Sequence, residues 1–216
     1  MSYRTHSRSQ SPLEFSNREL FDLAVAWIAL SVAFALFLDP PSAGRFDLEP
    51  FLYLTGLSFV TVGVAFLLHE LAHKVVAIRF GQVAEFRADY GMLFLAIMSA
   101  LVGFLFAAPG AVYHRGRITY RENGLIALAG PVTNHGLAVV FLPLMFLPAA
   151  VGAPSFVGQI GHMGVLINLF LAAFNMIPFG PLDGKSVWQW HKGVFALVFG
   201  LSLVFLAGFL LLFGLW

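Results

Sequence analysis

The sequence predicts an all-α polytopic membrane protein of five to six transmembrane helices, with a re-entrant or short β element inserted between the second long apolar run and the next. Three observations carry this. Apolar residues make up 59% of the 216-residue chain, against a usual 45–50%. Charged residues make up 11%, against about 25% in soluble domains. The apolar residues are gathered into runs close to the roughly 20 residues that a helix needs to cross the hydrocarbon. The same counts exclude other classes. With 12 Lys and Arg against 11 Asp and Glu, the net charge is +1, so there is no basic face for nucleic acid. The absence of cysteine removes disulfides, a thiolate nucleophile and any Cys-ligated metal.

Taken in order, Met1–Arg18 is rich in Ser and Arg. It lacks the apolar core and cleavage site of a leader peptide and is expected to form a mobile cytoplasmic segment. Residues 19–216 are expected to form one membrane-embedded domain with its core at 51–184. Leu20–Leu38, Phe51–Ile78, Gly124–Leu147 and Phe156–Ile177 are long enough to span, as is the uncharged Gly193–Trp216. Trp188, Trp190 and Trp216 suit the interfaces. Gly158, Gly161 and Gly164 suit close helix contacts. Met92–Pro109 is apolar but short, and Gln82–Tyr90 and Gly110–Thr119 on either side read as strands framing it.

Positive charge, which favours the cytoplasmic side, decides how Met92–Pro109 runs. If it spans, the 12 Lys and Arg divide six to six and give no orientation; if it enters and leaves by one face, they divide eleven to one with only Arg45 outside. Five spans and a re-entrant segment are therefore expected, with the N-terminus in the cytoplasm. The bilayer is one partner of such a chain, and a prokaryotic cell membrane is the expected location.

Inside the second span lies His69-Glu70-Leu71-Ala72-His73. Ionisable groups at membrane depth are costly and mark function. Residues four apart share a helix face, so both imidazoles can reach one cation, with Glu70 beside them to act on a metal-bound water. Chance would produce this pattern about 0.006 times in a chain of this composition. The bland alternative, buried histidines with Glu70 paired to Lys74, is the weaker reading, and a Zn²⁺ site the stronger. Two histidines leave a tetrahedral zinc one protein ligand short. Asp183 is the candidate, in Asn175-Met-Ile-Pro-Phe-Gly-Pro-Leu-Asp183-Gly184, where Pro178 and Pro181 must end the fourth span. In the five-span arrangement Asp183 lies at the depth of the histidines.

Together, HELAH in one span, Gly130-Pro131-Val132-Thr133-Asn134 in the next and Asn175-x-x-Pro178 with Leu182-Asp183-Gly184 after it resemble the site-2 protease family of intramembrane zinc metalloproteases. The resemblance covers roughly 51–184. It implies that His69, His73 and Asp183 bind one Zn²⁺ per chain, that Glu70 is the catalytic base, and that Asn134 and Asn175 contact substrate or stabilise the oxyanion. It also implies cleavage of a transmembrane protein substrate in or near its span. The chain departs from the family pattern in having Gly180 where a second proline is common, with Pro181 one place later, and in the length of Met92–Pro109. Asn168 matches no motif and is expected to pack helices. Two rival functions are a metal transporter, which needs polar groups through both halves of the bilayer, and a non-catalytic zinc-binding scaffold, which would not need Glu70. Oligomeric state and substrate identity are not legible.

Overall fold

The computed structural model describes residues 13–41, 46–105 and 109–215. Arg45, Trp216 and most of the N-terminal segment expected to be mobile lie outside the described residues. Helix α1 (Asn17–Leu38) starts where the Ser16 hydroxyl accepts the Glu19 N–H, so the first helix begins just before Arg18. A single rod follows, made of α2 (Leu48–Ser58), a π-helical turn at Phe59–Gly63 and α3 (Val64–Arg79). The wide turn has a use: Trp27 of α1 stacks on Phe59 and donates to its carbonyl at 2.9 Å. It also lies so close to Gly63 that a Cβ there would sit 1.8 Å from the indole nitrogen. Helix α5 (Tyr120–Val151) opens with a Thr119–Glu122 capping box and α6 (Ser155–Asn175) returns beside it. Gly161 backs onto Leu144 and Met145, and Gly164 onto Phe141; these glycines are the close contacts between α5 and α6. Short α7 (Asp183–Trp190) and α8 (Lys192–Phe213) follow.

Among the described residues, five helical rods, α1, α2–α3, α5, α6 and α8, are long and apolar enough to cross a bilayer. The chain is an integral membrane protein of the expected class. Between the second and third rods come strand β1 (Val83–Ala88), the 12-residue helix α4 (Tyr90–Leu101) and strand β2 (Gly110–Arg115). The strands pair antiparallel with Ala88 opposite Gly110, and the Asp89 N–H donates to the Pro109 carbonyl at 3.0 Å. Both ends of the intervening segment are therefore stitched together on one face. Within it, α4 lies along α1 through Ala96 and Ala100 against Ala33 and Leu36.

A metal-ready cluster beside an open strand edge

Helix α3 puts the two imidazoles one turn apart, with ring centroids 4.6 Å from each other. Their orientation is set from behind. His69 Nδ1 lies 2.5 Å from Asn134 Oδ1 and His73 Nδ1 lies 2.7 Å from the Ile126 carbonyl. Both partners are acceptors, because the Asn134 amide nitrogen is turned to Asn168 Oδ1 at 2.8 Å and to the Ala65 carbonyl. Each Nδ1 therefore carries a proton, and in the neutral ring each Nε2 presents a lone pair. Those lone pairs converge on Asp183 Oδ2, at 3.2 Å from His69 and 3.4 Å from His73. That oxygen is buried and receives no hydrogen bond.

Three electron-rich atoms facing one another repel unless a cation lies between them. A tetrahedral ion bound at 2.0–2.1 Å would space its ligands about 3.3 Å apart, which matches the two distances. The donor set, two neutral imidazoles and a carboxylate, suits a divalent metal. His69, His73 and Asp183 form the one such cluster among the described residues.

The backbone is shaped around the cluster. A Cβ on Gly130 would fall 2.4 Å from His69 Nε2 and 2.6 Å from His73 Nε2, so only glycine lets α5 pass this close. Gly130→Ala is expected to displace both rings and weaken metal binding by about 10²-fold or more, beyond the 10–100-fold cost of losing an outer contact. Competition with a chromophoric chelator checks this, and wild-type affinity in the variant would contradict it. Asp183 arrives by a turn that the sequence makes tight. Gly180 has φ 62°, in the left-handed region that proline cannot enter, which explains why the second proline stands at 181. A Cβ on Gly184 would lie 2.1 Å from the Met176 carbonyl, so the start of α7 sits directly on the end of α6.

Glu70 is buried beside the imidazoles, with Oε2 free of any partner. Lys74 does not pair with it: its ammonium lies 2.5 Å from Glu19 on α1. Instead, Glu70 shares one cavity with Val112 of β2. A cavity of about 790 Å³ joins Glu70, His69, His73 and Asp183 to β2, Asn175, and the apolar faces of α1, α6 and α8.

The two asparagines part company here. Asn175 lines the cavity, its Nδ2 donating to the Leu171 carbonyl at 3.0 Å. Asn134 is fully buried behind His69, with one end of its amide on His69 and the other on Asn168. Asn134→Ala is expected to lower metal affinity or turnover about 10–100-fold; unchanged values would show that His69 needs no support. Asn168, read from the sequence as packing, is the next link, donating to the Gly164 carbonyl at 2.8 Å while holding Asn134. His114 and Asn123 also line the cavity and were not singled out by spacing. Burial lowers the His114 pKa.

No family model and no solved structure matches the chain. Curated relatives do. It is 42% identical over 198 residues to the protein named "Putative zinc metalloprotease MJ0611" of Methanocaldococcus jannaschii, covering 90% of this chain and 95% of that one. It is 32% identical to "Putative zinc metalloprotease YwhC" of Bacillus subtilis over 59% of this chain and 65% of the relative. It is 30% identical to "Putative zinc metalloprotease Rip3" of Mycobacterium tuberculosis over 70% of this chain and 36% of the relative. With similarity running through nearly the whole of one relative, and the motifs of three spans meeting at one cluster, the chain belongs to the site-2 protease family.

Proposed function

We propose that this chain is an intramembrane zinc metalloprotease that hydrolyses peptide bonds in or near the transmembrane segments of other membrane proteins. The observation that carries the reading is the convergence of His69, His73 and Asp183 on one point with Glu70 free at its side. His69, His73 and Asp183 would hold the metal. Zinc, when bound, supplies a water of pKa near 7 and polarises the scissile carbonyl. Glu70 takes the proton of the attacking water and passes it to the leaving amine. Asn175, with a second amide N–H to offer on the cavity side, is placed to donate to the developing oxyanion. Asn134 keeps His69 in the tautomer that leaves Nε2 free.

A transmembrane helix satisfies its own backbone and must unwind before it can be cut. Strand β2 offers the unwound segment new partners. Phe86 and Ala88 of β1 send their N–H groups to α1 and not to β2. Their partners Val112 and Gly110 must then point their own N–H and C=O groups away from β1, towards the cavity. The apolar walls of that cavity suit the rest of a substrate span. His69, His73 and Asp183 are the one group of three potential metal ligands among the described residues, which favours a reaction site over a transport path. The eleven-to-one division of positive charge supports a cytoplasmic N-terminus and a site opening to that side.

The test is purified protein in proteoliposomes with a model single-span substrate, the cut mapped by mass spectrometry with and without a metal chelator. A chelator-sensitive cut within or beside the span is the expected result. Cleavage confined to water-exposed loops, or none at all, would overturn the reading.

A further inference from the structure

We infer that Glu19 and Asp22, at the start of α1, are positioning residues: they occupy the outer edge of β1 and thereby hold β2, with its open edge, at the height of the catalytic cluster. The inference rests on the proteolytic reading above. Its basis is a set of contacts that the reaction itself does not use. Glu19 and Asp22 stand three apart on one helix face. Glu19 Oε1 accepts the Phe86 N–H at 3.0 Å and Asp22 Oδ2 accepts the Ala88 N–H at 3.4 Å. Alternate amides of a strand point to the same edge, so the two carboxylates stand where the carbonyls of a third strand would.

Each carboxylate is tied in turn to another part of the site. Glu19 Oε2 meets the Lys74 ammonium at 2.5 Å, and Lys74 follows His73 directly on α3. Asp22 Oδ1 accepts the Tyr90 hydroxyl at 2.5 Å, fixing the first residue of α4. Both carboxylates are 1% exposed and Lys74 is 2% exposed. A buried ion pair seldom adds net stability over apolar residues of the same size, so stability alone does not account for these charges. What they add is position. One network ties the hairpin to the helix that carries the catalytic side chains, closes the β1 edge, and leaves the β2 edge, where Gly110 and Val112 line the cavity with Glu70, for an incoming strand.

The experiment compares wild type, Asp22→Leu and Asp22→Asn in proteoliposomes with the single-span substrate. Zinc content, kcat, KM and the bond cut are read together. Asp22→Leu removes the acceptors without stranding a buried lysine. It is expected to keep its zinc, raise KM about tenfold with a smaller change in kcat, and spread the cut over neighbouring bonds. Asp22→Asn keeps an acceptor oxygen and is expected to restore most of the single cut. An Asp22→Leu protein that cuts the same single bond with unchanged KM overturns the inference and leaves the proteolytic reading standing. If Asp22→Leu is not recovered folded, Tyr90→Phe, which frees Asp22 Oδ1, is expected to raise KM severalfold at full zinc content, and an unchanged KM there overturns the inference equally. A wild-type protein that cleaves nothing overturns both.

Discussion

Glu70→Gln is expected to lower cleavage by about 10²–10⁴-fold, the range of a positioned general base, while leaving the metal in place. The two effects separate because Glu70 is not one of the converging atoms. His69, His73 and Asp183 each offer one ligand atom within 4.8 Å of the others, whereas Glu70 stands beside them with Oε2 unpartnered. Glutamine keeps the shape but cannot take a proton. Single-turnover cleavage, with metal content measured on the same protein, reads the two apart. A Glu70→Gln enzyme that cuts at the wild-type rate would remove the assigned role.

Asp183→Ala is expected to fail in the opposite way, losing metal first and cleavage with it. Two imidazoles on one helix would remain, and the third donor would have to come from solvent. The loss should exceed the 10–100-fold typical of an outer contact. The fold has independent reasons to survive the change. Gly184 is seated on the Met176 carbonyl, and Val187 of α7 is buried with Met176, Ala127 and Phe195. The turn therefore stays in place without the carboxylate.

The spans were legible because their signal, a run of apolar residues, is local in sequence. The pair His69 and His73 was legible for the same reason, since one helical turn fixes their relation. That the two ends of Met92–Pro109 lie on one face was expected from arithmetic on charges that lie far apart, and the hairpin joins those ends through Ala88 paired with Gly110. What spacing could not reveal depends on which helices touch. Gly130 is an ordinary helix glycine until α5 passes the two imidazoles. Lys74, five residues past His69, has a nearer candidate partner in Glu70 by sequence and a real one in Glu19, 55 residues away. Asn134 carries a motif match, but only the packing of α5 on α3 and α6 shows that both ends of its amide are already used. Asn168 carries no motif and lies in the same chain of hydrogen bonds.

The central claim, that three side chains hold the metal and a fourth does the chemistry, is tested most directly by one measurement. Metal per chain is determined for detergent-purified wild type, Glu70→Gln and Asp183→Ala, with cleavage of the single-span substrate followed in the same samples. The account predicts about one zinc per chain and cleavage in wild type, zinc without cleavage in Glu70→Gln, and loss of both in Asp183→Ala. Zinc retained at full occupancy and active cleavage in Asp183→Ala would contradict it.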